Sequence, residues 1–121
     1  MTPTLEVFRG GERVFVSEGR WLHPLVELDR YLAESEVDSA GLTVRDKVVG
    51  RAAALLMVRM GIGRIHARLL SELGRDALDA HAVSYTFDEL VPRIACRTEA
   101  LLHDETDPEA AYALVRTLMG N

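Results

Sequence analysis

Seven consecutive apolar residues, Ala52-Ala53-Ala54-Leu55-Leu56-Met57-Val58, lie between Arg51 and Arg59. A bilayer span needs about 20 such residues, so this run is no membrane segment. As a helix it is apolar almost all the way round, and such a helix is stable only when covered on most sides. A sheet beneath it and other helices at its flanks would supply that cover. The chain has 121 residues, which suits a single domain over 1–121.

Charge narrows the partners. The formal net charge is −5, which gives no long-range attraction for nucleic acid or an anionic membrane, so neither is expected as a partner. Cys96 is the single cysteine, so no intramolecular disulfide can form, and a reducing, cytoplasmic setting is expected. The N-terminus has no basic segment followed by an apolar run, as a secretory signal would.

Along the chain, Leu5 to Arg9 and Arg13 to Ser17 flank Gly10-Gly11, the pattern of a β-hairpin. Pro24 opens a helix to about Glu34, with Leu25, Leu28 and Leu32 at helical spacing. Gly41 to Val44 reads as a short strand ending at Arg45-Asp46. Asp46 is placed as the N-cap of the next helix, with Lys47 in its first turn and Gly61 after its end. Ile65 to Leu70 reads as a strand, and Ser71 as the cap of a third helix carrying Leu73, Ala77 and Leu78. Val83, Tyr85 and Phe87 alternate with polar residues in a further strand, while Asp88 to Leu102, broken by Pro92, mixes turn and helix. Asp107-Pro108-Glu109 opens the final helix, which Gly120 ends.

Strands alternating with helices imply right-handed crossovers and parallel later strands, with the hairpin adding an antiparallel edge. The expected class is α/β, a mixed sheet with helices on both faces. A small mixed sheet also leaves an edge strand needing cover, so a homodimer is the expected assembly.

The segment Asp46-Lys47-Val48-Val49-Gly50-Arg51-Ala52-Ala53-Ala54 resembles the domain of unknown function 1893 family. Ser71-Glu72, Tyr85, Leu90-Val91-Pro92, Ile94, Arg97 and Asp107-Pro108-Glu109-Ala110 extend the resemblance over nearly the whole chain. It implies a cytidine deaminase-like fold, a three-layer sandwich with the hairpin first. No biochemical function comes with it. The family pattern carries a glycine-rich insertion with a Cys-Pro pair after the position of Arg97, whereas here Thr98-Glu99-Ala100 follow directly.

A zinc deaminase needs His/Cys-x-Glu at one helix start and Pro-Cys-x-x-Cys at the next. The matching starts here read Asp46-Lys47-Val48-Val49 and Ser71-Glu72-Leu73-Gly74, without His or Cys, so the module is expected to be zinc-free. No cofactor is expected. His23, His66, His81 and His103 share no ligand spacing with Cys96, and Gly61-Ile62-Gly63 is a helix stop and no phosphate loop. Asp104-Glu105 with Asp107 could hold a cation, against the favoured reading of a solvated loop capping the last helix.

Lys47 is the single lysine beside thirteen arginines. In the first turn of the most buried helix, its charge would oppose the helix dipole, which invites a specific reason for it. One reason is a nucleotide or other phosphate-bearing small molecule held by Lys47 and the N–H groups of two converging helix starts. Asp46, Arg51, Ser71 and Glu72 would complete that site. The alternative is that Lys47 pairs with a neighbouring acid while its stem covers apolar surface. Two further readings are a zinc-independent enzyme using Lys47 or Glu72, and an interaction domain with its pocket filled, presenting Met57, Met60, Trp21 and Tyr31.

Overall fold

The computed structural model describes residues 3–120. Two strands, β1 (Leu5–Arg9) and β2 (Glu12–Ser17), form the expected hairpin, turned by Gly10 at a φ of 62°. Helix α1 (His23–Ala33) follows, with Pro24 in its first turn. Then come β3 (Leu42–Val49), α2 (Arg51–Met60), β4 (Arg64–Ser71), α3 (Glu72–Ala80) and β5 (Ser84–Val91). Two more helices, α4 (Arg97–Leu101) and α5 (Pro108–Leu118), end the chain.

The five strands make one mixed sheet in the order β2-β1-β3-β4-β5. The hairpin is antiparallel to β3, and β3, β4 and β5 run parallel, as the strand–helix alternation implied. Leu5, Val7, Val44, Ile65 and Ala67 share one face, and each is at most 1% exposed. Against that face lies α2, whose residues from Arg51 to Met57 are all buried, flanked by α1, α3 and α5. The all-round apolar run is therefore covered as its composition demanded. Burying these side chains contributes roughly 25 cal/mol for each Å² of apolar surface removed from water.

Three expectations need correction. The sheet is not covered on both faces. Side chains alternating away from α2 include Glu6, Arg45, His66, Arg68, Thr86 and Asp88, which are half-buried or exposed, and no helix covers them among the described residues. The fold has two layers, because β2–α1–β3 and both parallel crossovers return on the same side.

The second correction concerns β3, which continues four residues beyond Val44–Arg45 and takes in Asp46 and Lys47. Asp46 is no helix cap and Lys47 lies in no helix turn. Leu5 pairs with Asp46 across β1, Val49 pairs with Leu70 across β4, and Lys47 N–H donates to the Thr4 carbonyl. These sheet hydrogen bonds, together with β-branched Val48 and Val49, outweigh a local capping signal. The helix begins after Gly50.

Third, Met57 is fully buried and presents no docking surface, while the half-buried Tyr31 packs on Phe15 at 5.3 Å between ring centroids. The strand expected at Val83–Phe87 also runs further, to Val91.

Helix ends otherwise follow the sequence. Ser71 Oγ accepts the Gly74 N–H at 2.9 Å, and Asp107 accepts the Glu109 N–H at 3.0 Å. Glu105 Oε2 accepts the N–H groups of Thr106 and Asp107, so this acidic loop is occupied in capping α5. Gly61 closes α2 in the left-handed conformation, φ 76°. Among the described residues no helix is long and apolar enough to cross a membrane.

Candidate functional site

At the C-terminal end of β3 the covered face of the sheet runs out past the first turns of α1 and α2. A cavity of about 370 Å³ opens there. Its floor is Asp46 and Val48, which strand alternation puts on the same side as Val44. The α1 side supplies Trp21, Leu22 and Pro24, and α2 supplies Arg51, Ala52 and Ala53. Ile94, Cys96, Thr98 and Glu99, from the segment after β5, close the remaining wall.

The α2 start lacks a side-chain cap of its own, because Gly50 has none to offer. Glu99 supplies one from 48 residues away: its Oε1 accepts the Arg51 N–H at 2.7 Å. Its Oε2 accepts the Ile94 N–H at 3.0 Å. A buried carboxylate with both oxygens engaged at a helix N-terminus satisfies the dipole internally. The place where a ligand anion would meet α2 is therefore filled by the protein itself.

Arg51 is likewise engaged. It is 6% exposed, and its guanidinium donates to the Leu73 carbonyl at 3.0 Å and from Nε to the Glu105 carbonyl at 2.9 Å, with Nη2 donating to the same oxygen. It ties the starts of α2 and α3 to the loop before α5. The two starts do converge: a Cβ on Gly74 would stand 3.0 Å from the Gly50 carbonyl oxygen.

Asp46 differs from these groups. Among the described residues no other side chain bonds its carboxyl; the N–H groups of Lys47 and Val48 lower its pKa, while burial, the larger effect, raises it from 3.8 to about 7. Cys96 Sγ lies 3.3 Å from Thr98 Oγ1 in the opposite wall. Trp21 stands at the mouth, 46% exposed, with a backbone φ of 55° that is rare outside glycine.

Of the five residues expected to form a site, the cavity gathers Asp46, Lys47 and Arg51. Ser71 is fully buried and spent as the α3 cap, and Glu72 is exposed in the next turn; neither lines the cavity. Asp46 and Lys47 both border this cavity and a smaller one on the open face of the sheet. Trp21, Val48, Ile94 and Glu99 were not legible as site residues, since their role depends on segments distant in sequence. Trp21 alone left a signal, as an exposed aromatic. Among the described residues no three His, Cys, Asp or Glu side chains come together as a metal site requires.

No curated protein sequence matches the chain. A crystal structure of a DUF1893 family protein from Thermotoga maritima is similar, with a TM-score of 0.84 and 28% identity over 95% of this chain and 80% of that one. A family model described as a domain of unknown function, DUF1893, matches residues 4–119. With the match spanning the hairpin to the last helix, the chain belongs to the DUF1893 family.

Proposed function

We propose that the protein is a small-molecule-binding module whose ligand sits in the cavity beside Asp46. One observation carries this reading: an open cavity of about 370 Å³ with mostly apolar walls holds a carboxyl group that no other side chain engages among the described residues. Pockets of that size and character suit small organic ligands. With Glu99 and Arg51 already bonded, the remaining charged groups of the lining, which no side chain engages among the described residues, are Asp46, Arg20 and Lys47, of which Asp46 lies in the floor. The occupant is a planar, largely apolar molecule offering an N–H donor, as a nucleobase does. The phosphate of a nucleotide would have to leave the cavity on the Lys47 side, because Glu99 holds the α2 start.

A zinc-free, cytidine deaminase-like ancestry is part of this reading. The β2-β1-β3-β4-β5 order and two helix starts meeting at the ends of β3 and β4 support it. A homodimer is proposed on the outer edges of β2 and β5, each unpaired among the described residues, and a cytoplasmic setting on the free Cys96. A second reading, a zinc-independent enzyme, rests on Asp46 having a pKa near neutrality, where a carboxyl can move a proton.

The test is a thermal-shift screen of free nucleobases, nucleosides and aryl amidines on wild type and Asp46→Asn. At least one compound is expected to raise the wild-type Tm and to lose most of that shift in the variant. No stabilising compound, or a shift indifferent to Asp46→Asn, overturns the proposal.

A further inference from the structure

The open face of the sheet carries a second, smaller depression, which shares Thr4, Asp46 and Lys47 with the cavity described above. Strand alternation turns Arg45 and Lys47 to this face of β3, and Arg68 to the same face of β4. Asp46 pairs with Ala67 and Val48 with Leu69, which sets Lys47 beside Arg68, about 5 Å away between strands. Like charges side by side on a sheet destabilise it. A chain with 19 acidic residues against 14 basic ones has ample means to neutralise them. Yet none of the three makes an ion pair among the described residues.

Three acids line this depression: Asp46, which it shares with the cavity, and Glu6 and Asp88, which are held by other partners. Glu6, opposite Arg45 on β1, bonds Arg13 at 3.0 Å. Asp88, on the neighbouring strand β5, meets His66 Nε2 at 3.2 Å, while His66 Nδ1 lies 2.6 Å from Thr86 Oγ1. Two guanidinium groups and an ammonium are left around a depression of about 140 Å³. That is the room of four or five waters, at about 30 Å³ each. Guanidinium forks match phosphate oxygens in pairs, and an ammonium adds a point charge.

We infer that the Arg45–Lys47–Arg68 patch binds a small phosphate-bearing anion of one or two phosphate groups on the open sheet face. The depression is too small for a stretch of nucleic acid, and the net charge of −5 disfavours a polyanion.

Pyrophosphate is the probe, titrated at low ionic strength and followed by calorimetry and by amide chemical shifts. Saturable binding is expected, with shifts centred on residues 45, 47 and 68. Arg68→Ala should weaken it at least tenfold, and Arg45→Ala should do the same. Both side chains are exposed and lie outside the larger cavity, so an unchanged urea midpoint certifies the fold. Binding no stronger than that of chloride at equal ionic strength overturns the inference. So does binding that survives both arginine substitutions, or shifts centred on the starts of α2 and α3. A ten-nucleotide single-stranded RNA that binds tighter than pyrophosphate through the same arginines overturns the small-anion assignment.

Discussion

The side chain of Glu99 caps the helix that begins at Arg51, with 2.7 Å between its Oε1 and the Arg51 backbone nitrogen. Because Oε2 takes the Ile94 N–H as well, one buried carboxylate fixes both the α2 start and the chain leaving β5.

Glu99→Ala strips two N–H groups of a charged acceptor. Leaving such buried donors unpaired costs about 1–3 kcal/mol each. A loss of about 3 kcal/mol is expected in urea unfolding, with Glu99→Gln intermediate, since it keeps one acceptor oxygen. Equal stability of wild type and Glu99→Ala would show that the cap is not a structural necessity.

Arg51→Met should be comparably severe. The carbonyls of Leu73 and Glu105 lose their donors, and the junction of α2, α3 and the loop before α5 loosens. About 2–4 kcal/mol is expected. Hydrogen exchange should show the protection loss concentrated in the first turns of α2 and α3; uniform loss across the sheet would argue against a local junction.

Gly63 has no room for a side chain: a Cβ there would stand 2.0 Å from the Ala40 carbonyl oxygen. Because the obstacle is backbone, Gly63→Ala must displace the turn at Ser39–Gly41 (a short 3₁₀ segment before β3). Overpacking of this kind costs about 1–3 kcal/mol. A thermal midpoint equal to wild type would refute the clash.

Asp46 gives stability a pH dependence of definite sign. Its pKa is 3.8 as an unperturbed group and about 7 in the folded protein. Between those values the folded state binds the proton that the unfolded state has released. The contribution is thus full below pH 4 and lost as pH rises to about 7, amounting to at most about 4 kcal/mol. Asp46→Asn should flatten the wild-type fall in stability between pH 4.5 and 8. A parallel fall in the variant would assign the effect to other groups.

Trp21 is the single tryptophan and stands at the cavity mouth, so its emission reports occupancy. A compound that raises Tm through Asp46 should also shield Trp21 from acrylamide quenching. Unchanged quenching at saturation would place that compound elsewhere.

The elements whose cause is local are legible in the residues alone. Gly10-Gly11 can turn only a tight hairpin, the apolar run from Ala52 to Val58 demands cover, and Ser71 and Asp107 cap the helices that follow them. The mixed sheet and the DUF1893 membership were legible for the same reason, since both rest on the spacing of such segments. Only the tertiary structure decided where β3 stops, because partners on β1 and β4 extend it through Asp46 and Lys47. That extension turns the two residues to opposite faces of the sheet. The Asp46 side chain then stands on the covered face and that of Lys47 on the open one, an assignment that strand alternation makes and helical spacing could not. Glu99 was hidden for a parallel reason: a cap 48 residues distant in sequence leaves no trace in local pattern, and only chain closure brings its carboxylate to Arg51.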